Sequence, residues 1–100
     1  MAERIVVFWR DIPAQVMVRI GRRAERRELP ERFIQEIDRA ALQVGARDSD
    51  TYLAQWRRGT PEPCGDDLVA EADAALAMLT GEYNSAAVEA LVLNGGHAPP

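Results

Sequence analysis

Ile5-Val6-Val7-Phe8-Trp9 is an unbroken run of β-branched and aromatic residues, the pattern of a strand buried on both faces. Asp11-Ile12-Pro13 stops it, because proline has no N–H to give a ladder and biases Ile12 toward extended backbone. Val16, Val18 and Ile20 then alternate with Met17 and Arg19, which predicts a second strand. A helix over residues 15–27 competes with that reading, and Gly21 and the β-branched residues oppose it. The second strand is expected to run on as a polar, solvent-facing segment from Arg22 to Leu29, bent at Gly21.

The pattern then changes to helical spacing. Pro30 suits a first helical position, Glu31 falls in the first turn, and Phe33, Ile37, Ala40, Ala41 and Val44 form one stripe. Gly45 suits a left-handed cap. Tyr52, Ala54 and Trp56 alternate with Leu53, Gln55 and Arg57, which predicts a third strand; a short helix capped by Ser49 is the alternative. Residues 59–65 read as a loop from their glycines and prolines. Asp66 or Gly65 is expected to cap a second helix striped by Leu68, Ala72, Ala75, Leu76 and Leu79, interrupted at Gly81. Asn84 or Ser85 caps a third, with Val88, Leu91 and Val92 inward. The expected architecture is α+β: a small three-stranded sheet with helices packed on one face, in the order β-β-α-β-α-α. One domain is expected over residues 1–94, with 95–100 a flexible tail.

Charge changes this picture. All twelve basic residues are arginines within the first 58 positions, where nine acids leave a net +3; the remaining residues carry seven acids and no base. Arginine codons are GC-rich, so genome composition accounts for much of the arginine-for-lysine choice, but it does not place the charges. Such polarity concerns partners rather than fold. The longest apolar run is far short of a membrane span, no signal peptide is recognisable, and the single Cys64 suits a reducing compartment, so a cytoplasmic protein is expected.

Little chemistry is on offer for catalysis. One cysteine and one histidine, Cys64 and His97, cannot assemble a zinc site, and no metal or other cofactor is expected. Cys64 lies at a helix start, where a thiol pKa can fall, but Asp66 and Asp67 oppose that. The pairs Asp66-Asp67 and Asp48/Asp50 are ordinary cap positions, and no glycine pattern matches a phosphate cradle. No catalytic residue is assigned, and a non-enzyme is expected.

Arg19, Arg22, Arg23, Arg26 and Arg27 are different, five guanidiniums within nine residues. In an extended chain Arg23 and Arg27 share a face with Arg19 while Arg22 and Arg26 point the other way; in a helix all five share one side. Either way several can bind a carboxylate or phosphate bidentately. Arg10 after Trp9, and Arg57-Arg58 after Trp56, repeat an indole beside guanidiniums, a pattern suited to cation–π recognition. The ordinary alternative places both indoles in the core with arginine stems over their rims. The candidate binding residues are therefore Trp9, Arg10, Arg19, Arg22, Arg23, Arg26, Arg27, Trp56, Arg57 and Arg58.

The strings at residues 9–16 (WRDIPAQV) and 52–59 (YLAQWRRG), with Arg32-Phe33 and Ala40-Ala41 between them, resemble a small bacterial family labelled "virulence factor". The resemblance covers roughly residues 4–75. It implies a stand-alone alphaproteobacterial protein found with cobalamin-dependent methyl-transfer proteins, hence an accessory role in methionine synthesis. It carries over no catalytic residue. The expected function is a non-catalytic accessory protein whose arginines dock an acidic partner, such as a corrinoid methyltransferase component. The alternative is an RNA or nucleotide binder using Arg19–Arg27 and exposed indoles, which the net charge of −4 disfavours.

Overall fold

The computed structural model describes residues 1–45 and 50–98. Their elements are β1 (Ala2–Trp9), β2 (Ile12–Ile20), β3 (Arg23–Glu28), α1 (Glu31–Gln43), α2 (Asp50–Ala54), β4 (Trp56–Arg58), β5 (Glu62–Cys64), α3 (Leu68–Glu82) and α4 (Ser85–Leu93). The sheet is antiparallel with the order β3-β2-β1-β4, and β5 pairs the start of β1. The class is α+β, but the three-stranded sheet and the order β-β-α-β-α-α are overturned. Five strands and four helices follow one another as β-β-β-α-α-β-β-α-α among the described residues.

Three local causes account for the difference. Gly21 adopts φ 57°, a left-handed value that lets the chain reverse where a bend was expected, so Arg23–Glu28 folds back on β2 with Ile20 opposite Arg23. Residues 52–58 divide: Asp50–Ala54 is helical and only Trp56–Arg58 is strand. Ser49, the cap of the helical alternative, lies outside the described residues, as does Asp48. Within the expected loop, Glu62–Cys64 pairs Ala2–Arg4.

The helix expectations hold with shifted ends, except that Val44, expected in the buried stripe, follows the last turn of α1 and is exposed. Phe33, Ile37, Ala40 and Ala41 are the buried stripe of α1, and Pro30 precedes its first turn. Asp67 rather than Asp66 caps α3, accepting from the Ala70 N–H at 3.1 Å, while Asp66 accepts from the Ala2 N–H at 3.0 Å. Gly81 does not interrupt α3. Asn84 caps α4 by accepting from the Ala87 N–H at 3.0 Å.

Two buried clusters organise the interior. Trp9, Ile12, Val16 and Leu29 pack with the stripes of α1, α3 and α4, and Ala2 and Val18 pack with Leu68 and Ala72 of α3. Val16 and Val18 are two apart on β2, so the helices cover the face they share. Gln15 and Met17 point to the other face. Their register partners Val7, Ile5, Arg26 and Glu28 go with them. A bulge between Val7 and Phe8 leaves Ala14 opposite no residue of β1 and turns the end of the hairpin.

Candidate functional site

The reversal at Gly21 reassigns the arginines to faces. A two-residue turn puts Arg19 opposite Ala24, hence on the face of Arg26, and puts Arg23 and Arg27 on the helix face. Arg27 is held there by Asp73 of α3 and Glu25, each at 2.9 Å. These two carboxylates raise the pKa of its guanidinium further. Arg19, Arg22, Arg23 and Arg26 form no ion pair with any described residue.

On the face away from the helices lies a hollow of about 490 Å³ lined by Val7, Gln15, Met17, Arg26, Trp56, Arg57 and Arg58. Strands β1 and β2 supply its floor, β3 contributes Arg26 on one side, and β4 contributes Trp56, Arg57 and Arg58 on the other. Val7, Gln15 and Trp56 also wall a second hollow, of about 430 Å³, completed by Ala14, Glu28, Leu29, Glu31 and Ile34. Three of the candidate residues around Trp56 thus meet Arg26 across the sheet. Sequence reading missed Val7, Gln15, Met17, Leu29 and Ile34. The one available signal was Gln15, a carboxamide among the apolar residues Ile12 to Val18 of β2.

Arg57 is positioned by three contacts. Its Nε donates to the Arg10 carbonyl at 2.8 Å, its Nη2 meets Asp11 Oδ1 at 2.9 Å, and its guanidinium lies 4.5 Å from the Phe8 ring centroid. It therefore stacks on Phe8 rather than on its neighbour Trp56. Trp56 packs edge-on against Tyr52, with centroids 6.1 Å apart. Arg58 forms no ion pair with a described residue and is exposed.

Trp9 and Arg10 take the core alternative instead. Trp9 is 0% exposed, and its indole N–H donates to the Tyr52 carbonyl at 2.9 Å. Arg10 lies over that ring at 5.1 Å and donates from Nη1 to the Gly95 carbonyl at 2.7 Å. Residues 95–98, expected as a tail, here touch the β1–β2 turn: Asp11 N–H donates to the Gly96 carbonyl at 2.8 Å, and Asp11 Oδ2 accepts from Ala98 N–H at 2.6 Å.

Cys64 is half-buried, and burial followed by the Glu71 carboxylate pushes its thiol pKa up, away from a reactive thiolate. Among the described residues no group of three or more His, Cys, Asp or Glu side chains is placed to hold a metal ion. None of their helices is long and apolar enough to cross a membrane.

An α+β domain with an arginine-lined hollow on its sheet is the class defined by this geometry. The chain belongs to the family described as "Virulence factor", whose profile it matches over residues 7–92. That match reaches past residue 75, where the resemblance was expected to end, through α3 and into α4. No curated protein and no solved structure matches the chain.

Proposed function

We propose that this chain is a non-catalytic accessory domain that docks an acidic partner protein on the arginine-lined face of its sheet. The observation that carries the proposal is the opposition of Arg26 and Arg58 across one hollow, neither in an ion pair with a described residue. Guanidiniums without an internal carboxylate keep their full capacity for a bidentate partner. Arg19, Arg22 and Arg23 at the end of the β2–β3 hairpin extend the positive field and speed encounter with an acidic surface. Asp73 and Glu89 of the acidic helices are already occupied by Arg27 and Arg39, so part of the chain's charge asymmetry is internal.

The family resemblance makes a corrinoid methyltransferase component the partner of choice, with cobalamin-dependent methyl transfer in methionine synthesis as the process supported. RNA binding would use the same arginines, but the burial of Trp9 leaves Trp56 alone of the two indoles to stack on a base.

Deletion of the gene, scored for growth without methionine, tests the process. Complementation with Arg19, Arg22, Arg26 and Arg58 all changed to glutamate tests the face. The expected result is auxotrophy that wild type rescues and the variant does not. Growth of the deletion strain without methionine removes the methyl-transfer role, and rescue by a folded variant removes docking by these arginines.

A further inference from the structure

The hollow on the open sheet face and the one that α1 helps to wall meet at Val7, Gln15 and Trp56, but they differ in chemistry. One is bordered by Arg26, Arg57 and Arg58. The other is walled by Val7, Ala14, Leu29, Ile34 and Trp56, with Glu28 and Glu31 at its edge. A carboxylate is drawn to the first and repelled from the second. An aliphatic side chain gains by leaving water in the second, where Ile34 stands 41% exposed with nothing described covering it.

Resting on the docking reading above, we infer that this face recognises an extended partner segment carrying a carboxylate next to an aliphatic side chain. The carboxylate sits between Arg26 and Arg58, and the aliphatic group sits against Leu29, Ile34 and Trp56. Gln15 lies in the shared wall, and its carboxamide makes no hydrogen bond to a described residue. It offers a donor and an acceptor to the segment's main chain between the two side chains. The acid–aliphatic pairing separates a true partner from any merely acidic surface, because the second hollow adds nothing for a segment of acids alone.

Fluorescence anisotropy with labelled ten-residue peptides tests this on the full chain. The first peptide carries two acids followed by two leucines; the second has serines in place of the leucines. The first is expected to bind at least about ten-fold more tightly, the usual effect of burying an aliphatic side chain. Ile34→Ser is expected to remove that advantage and leave the second peptide's affinity unchanged, whereas Arg26→Glu with Arg58→Glu weakens both. Circular dichroism establishes that each variant is folded. Equal affinity for the two peptides, an equal effect of Ile34→Ser on both, or tighter binding of a ten-nucleotide single-stranded RNA than of the first peptide overturns the inference. Loss of methionine rescue on arginine reversal, alongside equal peptide affinities, would retain the docking reading and remove only the paired recognition.

Discussion

Arg10 and Gly95 lie 85 positions apart in the chain, yet the Arg10 guanidinium donates to the Gly95 carbonyl at 2.7 Å. The contact closes the segment after α4 over the β1–β2 turn, and Gly96 is buried against the Trp9 ring beside it. Arg57 joins this corner to the sheet face by donating to the Arg10 carbonyl and pairing with Asp11. One corner of the domain therefore holds both the C-terminal segment and a wall of the candidate site.

Arg10 occupies this corner with φ 53°, a left-handed conformation that costs a non-glycine residue roughly 1–2 kcal/mol. Its Nε is also buried with no hydrogen-bond partner among the described residues. Arg10→Ala keeps the backbone cost and loses the Gly95 hydrogen bond and the stacking on Trp9. Arg10→Gly loses the same contacts and sheds the strain. Glycine is normally the less stable choice in a strand-rich region; here Arg10→Gly is expected to exceed Arg10→Ala in urea unfolding by about 1 kcal/mol.

Gly96 and Gly21 both have positive φ, at 90° and 57°, but a side chain meets different surroundings at each. A Cβ at Gly21 points into open space, so Gly21→Ala is expected to cost about 1 kcal/mol of backbone strain. A Cβ at Gly96 falls 2.8 Å from Cζ3 of Trp9, a ring that the core holds in place. Gly96→Ala is expected to cost about 3 kcal/mol or more and to shift the indole emission of Trp9. Equal unfolding midpoints for the two variants would contradict the packing of this segment on Trp9.

Asp11 links the same corner to pH. Its carboxylate accepts from the Ala98 N–H and pairs with Arg57, and these contacts hold its pKa below the ordinary value. A depressed folded pKa means that the unfolded chain binds the proton more readily. The stabilisation is therefore complete above about pH 4 and is lost as pH falls through the lower folded value. Asp11→Asn is expected to flatten the acid limb of the stability profile below about pH 4. An acid limb identical to that of wild type would show that the Asp11 contacts do not persist in solution.

How much of this was legible in the sequence depended on whether side chains or register carried the information. The α1 stripe of Phe33, Ile37, Ala40 and Ala41 is a burial pattern, and spacing alone revealed it. The β3 sequence, Arg-Ala-Glu-Arg-Arg-Glu, has no buried residue, so its pairing rests on the turn at Gly21 and on main-chain hydrogen bonds that leave no apolar period. That turn also decides which arginines share a face, since one residue of offset exchanges the faces of a strand. Strands β4 and β5 have three residues each, too few for alternation to be recognised. That Arg26 and Trp56 border one hollow from opposite sides follows from the strand order, which no local pattern encodes.

Arg26 and Arg27 are adjacent on β3 and point to opposite faces, which gives them separable roles. Arg27 faces α3 and contacts Asp73 and Glu25, so Arg27→Glu brings three carboxylates together and is expected to lower the melting temperature. Arg26 is exposed on the sheet face with no ion pair to a described residue. Arg26→Glu is expected to leave the melting temperature within a few degrees of wild type, as for most surface substitutions. Binding of the acidic partner should respond in the other direction, weakening at least about ten-fold for Arg26→Glu at low salt, with the difference narrowing at 0.5 M salt as screening grows. Thermal melts and salt-dependent binding titrations on the two variants check both halves. A stable Arg27→Glu protein with lost binding, beside an Arg26→Glu protein that binds normally, would place the working face on the helix side of the sheet.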